Sequence, residues 1–321
     1  MFNKILLATT ASPNCNNAAN VAFGMRLKWD AQLIVLHVFG VHRRNYTPFN
    51  RDSRIDRKKG SDKEYAALVI QKMKNIYAEA LEHAENVTFE AKVGRPSKEI
   101  LRKALEENAD LIIMGAHTRE EGVGPLRFRS VIGNTMQRVA ISARCPVIII
   151  GRPCTTAGKL FSNFRSGWKL FPNIVFGTDF SKASDSAFLF AYKFAKEVGA
   201  KLYLFHALNI YHAGQVREQT EIEEMIKDAK EKIEKRYISQ LDGFDNYEVE
   251  VWEGIPYIEI LKLARQKHCD LIVLAHHTKI IKSSLAPFGS TIEQVVLRAK
   301  QPVASVTRPD TVSEKKGLKR R

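Results

Sequence analysis

Short apolar runs alternate with amphipathic stretches along most of the chain. Ile5-Leu6-Leu7-Ala8, Leu33-Ile34-Val35-Leu36, Leu111-Ile112-Ile113-Met114 and Val147-Ile148-Ile149-Ile150 are unbroken by polar residues. Between them, Ile100, Leu101, Ala104 and Leu105 recur at three- and four-residue spacing, as do Ile258, Leu261 and Ala264, which is the period of a helix face. This pattern predicts strands over 3–9, 32–39, 87–93, 110–115 and 146–151, with helices over 15–28, 62–84, 97–107 and 134–142. It predicts a second set of strands over 173–178, 201–207, 246–252, 270–275 and 302–306, with helices over 182–198, 216–239, 257–267 and 290–299. Strands that read as continuous apolar runs are covered on both faces, so each half is expected to be a parallel sheet between helices. Ser97 after Pro96, and Ser181 before Lys182-Ala183-Ser184-Asp185, mark helix entrances, with Asp185 in the first turn.

The two sets of elements share landmarks in the same order. Thr9-Thr10-Ala11-Ser12 answers to Thr178-Asp179-Phe180-Ser181, Leu36-His37-Val38 to Phe205-His206-Ala207, and Gly94-Arg95-Pro96 to Gly254-Ile255-Pro256. Asp110-Leu111-Ile112-Ile113-Met114-Gly115 answers to Asp270-Leu271-Ile272-Val273-Leu274-Ala275, Gly133-Asn134-Thr135 to Gly289-Ser290-Thr291, and Cys145-Pro146-Val147 to Gln301-Pro302-Val303. The offset drifts from 169 at the first landmark to 156 at Gly133, so loops changed length while elements kept their order. A period this long means two whole domains, not a solenoid of short repeats. We read domain 1 as 1–151, a linker as 152–171, domain 2 as 172–308 and a basic, disordered tail as 309–321. The polar, basic segment 40–61 reads as a long mobile loop.

Composition narrows the class. The 321 residues are 45% hydrophobic, enough for a core in each half. No apolar run approaches the ~20 residues that span a bilayer, and the N-terminus lacks a signal-peptide pattern. Cys15, Cys145, Cys154 and Cys269 form no C-x-x-C pair and read as reduced thiols in a cytoplasmic protein. The net charge of +15 favours anionic partners. Much of it lies in the 40–61 segment and in Lys315-Lys316-Gly317-Leu318-Lys319-Arg320-Arg321, where solvated loops explain it as simply as a docking surface does.

In an open parallel sheet, ligands bind outside the carboxyl ends of the strands, where strand order reverses. In domain 2 the residues falling there are Thr178, Asp179, Ala207, Ala275, His277, Thr278, Gly289, Ser290 and Thr291. Gly289-Ser290-Thr291 opens a helix, whose free N–H groups and dipole make a phosphate cradle. Asp179 is placed to accept from a ribose hydroxyl or to help hold magnesium. Each feature also has a plain structural use, as a helix cap or a turn former. His276-His277 lacks further ligands at metal spacing and reads as a polar loop. His37 and His206 occupy matched strand positions and read as architectural, through a hydrogen bond to backbone. Ser-His-Asp, G-x-S-x-G and paired-carboxylate arrangements are not evident, so the expectation is not an enzyme.

Both halves resemble the universal stress protein domain, and the chain is similar to a tandem universal stress protein. The resemblance rests on the Thr-Asp-Phe-Ser strand end at 178–181, the Leu-His-Val strand at 36–38 and Gly-x-Pro at 94–96 and 254–256. Asp-Leu-Ile-Ile-Met-Gly at 110–115, and Gly-Ser-Thr at 289–291 followed by Pro302-Val303, complete it. It implies two tandem α/β domains, each a doubly wound five-stranded parallel sheet of the adenine nucleotide alpha hydrolase-like kind, arranged as a pseudo-twofold pair. The last strand then serves dimer pairing, within the chain or in a homodimer. It also implies a stress-response role and an adenine nucleotide, ATP or AMP, with magnesium accompanying a triphosphate.

ATP-binding members carry Gly-x-x-Gly, nine residues, then Gly-Ser/Thr, and both halves depart from this. In domain 1 the corresponding positions are Thr10, Val38, Gly115, Thr118, Gly133, Asn134 and Thr135. Thr118 replaces the second glycine, Asn134 the hydroxyl residue and Thr10 the strand-end aspartate. In domain 2 Ala275 and Thr278 replace the glycines, while Asp179, Gly289, Ser290 and Thr291 match. A β-branched residue fits poorly where glycine meets a phosphate. The expectation is therefore a nucleotide mainly in domain 2. Two rivals stand beside it: a nucleotide-free scaffold whose basic loops dock an acidic protein, a membrane surface or nucleic acid, and a slow ATPase.

Overall fold

The computed structural model describes residues 1–10, 15–39, 62–81, 85–115, 134–151, 170–209, 218–276 and 291–307. Two compact units divide near residue 168. The expected linker up to residue 169, the 40–61 loop and the basic tail lie outside the described residues.

The first unit contains β1 (Lys4–Ala8), α1 (Asn16–Trp29), β2 (Gln32–Phe39), α2 (Asp62–Ile76), α3 (Ala78–Leu81), β3 (Val87–Val93), α4 (Pro96–Glu106), β4 (Leu111–Gly115), α5 (Asn134–Ser142) and β5 (Val147–Ile150). The strands run parallel in the order β3-β2-β1-β4-β5. Strand order therefore reverses between β1 and β4, the switch point of a doubly wound sheet. Ile5, Leu6, Leu7, Leu33, Leu111 and Ile112 are fully buried, as expected of strands covered on both faces. α1 packs on β1, β2, β4 and β5, while α4 packs on β2 and α5 on β5.

The second unit repeats this plan with β6 (Asn173–Thr178), α6 (Lys182–Val198), β7 (Lys201–Leu208), α7 (Gln219–Arg236), β8 (Tyr247–Glu253), α8 (Pro256–Gln266), β9 (Leu271–His276), α9 (Thr291–Arg298) and β10 (Val303–Thr307). The parallel order is β8-β7-β6-β9-β10. α6 packs on β6, β7, β9 and β10, and α7 on β7 and β8. The other face is a core of Val175, Tyr203, Phe205, Ile272 and Leu274 under Ile260 and Leu263 of α8 and Ile292 and Val295 of α9. Gly177 belongs to this face: a Cβ there would lie 2.6 Å from Leu274 Cδ2 and 2.8 Å from Ile260 Cδ1. Leu170 and Phe171 are buried, with the Phe171 ring 5.9 Å from Phe194.

Three details depart from the sequence pattern. β3 and β8 are half-exposed and alternate polar with apolar residues, because they lie at one end of their sheets and need less apolar cover. The helix expected over 62–84 breaks at Tyr77, and that expected over 216–239 ends at Arg236, before a 3₁₀ turn at Ile238–Gln240. Both breaks fall on a buried tyrosine whose hydroxyl is tied to the sheet. His276, read as part of a polar loop, is the buried last residue of β9. Among the described residues no helix is long and apolar enough to cross a membrane.

Candidate functional site

The register brings the ends of β6, β7 and β9 together. Thr178 pairs with His206, and Gly177 with Leu274, so Asp179, Ala207 and Ala275 emerge on adjacent strands at the switch point. Alternation then divides the side chains. Gly177 and Leu274 face α8 and α9, with Ala207 packed beside that core. Thr178 and His206 face the α6 and α7 side, and Ala275, next to Leu274, alternates onto it. The expected site residues thus converge by backbone position but not by side-chain direction.

Thr178 is committed to its own scaffold. Its Oγ1 lies 2.8 Å from the Tyr237 hydroxyl and accepts the Phe180 N–H at 2.9 Å. His206 Nδ1 lies 2.8 Å from the Thr178 carbonyl. Because a carbonyl only accepts, that nitrogen is the protonated one. Phe180 holds a left-handed φ of +59°, a strained setting for a bulky residue. Its ring lies 4.5 Å from the His206 ring, with Lys232 Nζ 4.4 Å from the Phe180 centroid. Burial, then the Lys232 charge, lower the His206 pKa against the rise from its backbone hydrogen bond. Burial pushes the Tyr237 hydroxyl up to about 12, keeping it protonated.

Asp179 is exposed at the end of β6. Its Oδ1 accepts from the Ser181 N–H at 3.0 Å and from the Ser184 hydroxyl at 2.6 Å. Ser184 Oγ accepts in turn from the Asp179 N–H at 3.4 Å and the Ser181 hydroxyl at 3.3 Å. Ser181 caps α6 by accepting the Ser184 N–H at 3.2 Å. Asp185 in the same turn takes both Arg236 Nε and Nη2 at 2.8 Å. Thr291 begins α9, partly buried. His277, Thr278, Gly289 and Ser290 lie outside the described residues.

Domain 1 reproduces the scaffold but changes what it carries. Thr9 Oγ1 lies 2.9 Å from the Tyr77 hydroxyl, and His37 Nδ1 lies 2.9 Å from the Thr9 carbonyl. His37, 1% exposed, has its pKa lowered chiefly by burial, against that backbone bond. Thr10 stands where Asp179 stands, its Oγ1 3.3 Å from Cys15 Sγ. Val38 is partly buried, Gly115 is buried at the end of β4, and Asn134 and Thr135 open α5. Thr118 and Gly133 lie outside the described residues.

Pattern reading overlooked Tyr77, Tyr237 and Ser184. The tyrosines recur at the same offset of 160 as Gly94 and Gly254, and Ser184 falls 169 after Cys15, as Asp179 does after Thr10. That coincidence was the available signal. Cys145 and Cys269 are pushed up to about 12 by burial, which disfavours a nucleophilic thiolate at either.

The model of the universal stress protein family matches residues 1–151 and 171–307. A universal stress protein of Thermus aquaticus is 33% identical over 154 residues, covering 47% of this chain and 99% of the relative. One from Methanocaldococcus jannaschii is 30% identical over 153 residues, covering 48% of this chain and 84% of its own. Among solved structures, a universal stress protein from Archaeoglobus fulgidus superposes with a TM-score of 0.60 at 20% identity, covering 96% of this chain and 97% of that one. With both halves matched by the family model and the doubly wound sheet repeated in each, this chain belongs to the universal stress protein family, as two tandem domains.

Proposed function

We propose that this chain is a stress-response regulator that binds an adenine nucleotide, ATP or AMP, in its second domain, and acts by binding rather than turnover. The observation that carries this is Asp179. It is an exposed carboxylate at the switch-point end of β6, oriented by two hydrogen bonds from its own turn. Such a group suits a ribose hydroxyl. The start of α9 at Thr291 offers backbone N–H groups to phosphate. A triphosphate would bring magnesium with it. The turn that holds Asp179 supports a binding role better than that of a base activating water. The scaffold alternative rests on the 40–61 segment and the tail, outside the described residues.

Calorimetric titration of the full-length chain with ATP and with AMP tests the proposal. Binding is expected, weakened about 10–100-fold by Asp179→Ala, the worth of one hydrogen bond to a charged group. No heat and no thermal shift at millimolar nucleotide would reject it, and phosphate release abolished by Asp179→Ala would replace binding with turnover.

A further inference from the structure

We infer that Ser184 is a positioning residue of the domain 2 nucleotide site, fixing the Asp179 carboxylate, and that the Thr10–Cys15 pair is its inactivated counterpart. This rests on the adenine-nucleotide reading above. Ser184 is 1% exposed in the first turn of α6, so it acts through Asp179 and not on a ligand. Its hydroxyl donates to Asp179 Oδ1 at 2.6 Å, and its lone pairs are taken by the Asp179 N–H and the Ser181 hydroxyl. The proton therefore has a fixed direction, toward the carboxylate. With the Ser181 N–H on the same oxygen, the arrangement removes the rotational freedom of an otherwise exposed aspartate. A carboxylate held before the ligand arrives does not lose that freedom on binding.

Domain 1 supplies the comparison. The position matching Ser184 is Cys15 and the position matching Asp179 is Thr10, while Ser12 matches Ser181. Both members of the pair differ between the domains, yet here too they touch, Thr10 Oγ1 lying 3.3 Å from Cys15 Sγ. A thiol is a weak donor and holds a carboxylate poorly. An aspartate placed at 10 would meet the Cys15 thiol where Asp179 meets the Ser184 hydroxyl, and so gain a weaker donor. The pair, not the single aspartate, is thus the unit that distinguishes the two domains.

The test uses the full-length chain, titrated calorimetrically with ATP and AMP and melted in parallel. Ser184→Ala and Ser184→Cys are expected to weaken binding about five- to tenfold, less than Asp179→Ala, because the carboxylate remains and only its fixed orientation is lost. Tyr77→Phe, which removes a buried hydroxyl from the other domain, is expected to lower the melting temperature similarly and leave affinity unchanged. Wild-type affinity in both Ser184 variants, or an equal loss in Tyr77→Phe, would overturn the positioning role while leaving the nucleotide reading intact. A wild-type chain that binds neither nucleotide overturns both. Melting gives a second readout without nucleotide. Thr10→Asp is expected to lower the melting temperature by several degrees, and adding Cys15→Ser to recover at least half of the loss. No recovery would show that the serine does not hold the carboxylate.

Discussion

The hydroxyl of Tyr237 lies 2.8 Å from Thr178 Oγ1, and Tyr77 repeats the contact with Thr9 at 2.9 Å in the other domain. Each tyrosine interrupts or ends a helix and ties it to the carboxyl end of the first strand of its domain. Tyr237 is fully buried and Tyr77 nearly so, so removing either hydroxyl leaves a threonine without that bond in a dry setting. Tyr237→Phe and Tyr77→Phe are each expected to cost about 1–2 kcal/mol, lowering the melting temperature of the affected domain by about 2–8 °C. Thermal melts followed by circular dichroism check this. The far-ultraviolet spectrum of the folded state should not change.

Much of the fold was legible because sheet burial dictates it. A run such as Leu33 to Leu36, with no polar interruption, has few homes other than a strand covered on both faces. His37 and His206 were readable as architectural, since matched positions in two copies imply a shared role, and each meets a carbonyl of the neighbouring strand. The edge character of β3 and β8 was less visible, because Glu90 and Glu250 look like surface residues until the lysines that neutralise them are seen. The side-chain directions at the candidate site were not legible. Thr178 and Ala207 both fall at strand ends in sequence, but the pleat sends them to opposite faces. The use of Asp179 within its own turn depends on Ser184, five residues on, brought back by the first turn of a helix.

Acid should weaken the fold through the two histidines. His37 and His206 both have their pKa lowered below 6.5, principally by burial. The unfolded chain therefore takes up protons that the folded chain refuses, and stability falls as pH drops below the unfolded value of about 6.5. Above that pH neither residue contributes a slope. Denaturant midpoints measured from pH 7.5 to 5 should decline, and the decline should be shallower in His37→Gln. An equal slope in that variant would move the effect to other groups. A separate loss is expected in stronger acid, between about 4.5 and 2, where Glu107 and Glu248 protonate. Glu107 is held near 2 by Lys103 and Lys4, and Glu248 near 2 by Lys201 and Lys267.

The Asp185–Arg236 pair offers a test of how α6 is joined to the end of α7. Its two parallel bonds at 2.8 Å give it better geometry than a single-contact ion pair. Solvent reaches both side chains, at 42% and 31% exposure, and screens much of the attraction. Arg236→Ala is expected to cost only about 0.5–1 kcal/mol. Part of that should vanish near 1 M salt, where the screening length is about 3 Å. Urea unfolding at low and high salt measures both. A cost that ignores salt would assign the effect to the Arg236 guanidinium lying over the Tyr237 ring, 5.9 Å from its centroid, and not to the ion pair.

Gly94 and Gly254 sit in the turn that follows the third strand of each domain, and their substitution should be felt more than that of other positive-φ glycines. Their φ values are +153° and +136°, a region that side chains rarely adopt. Each donates its N–H to the end of the neighbouring strand at 2.9 Å, Gly94 to the Phe39 carbonyl and Gly254 to that of Leu208. A Cβ at 94 would lie 2.7 Å from Glu99 Cγ, and one at 254 would lie 2.8 Å from Glu259 Cγ. Both glutamates are already engaged, with Arg102 and Lys262 respectively. Gly243, at φ +63°, has nothing within 4 Å of the same added atom. Gly254→Ala is therefore expected to combine backbone strain with a displaced glutamate and to cost about 2–3 kcal/mol, against about 1 kcal/mol for Gly243→Ala from strain alone. Equal losses in the two variants would mean that the glutamate gives way freely and that φ alone sets the requirement for glycine.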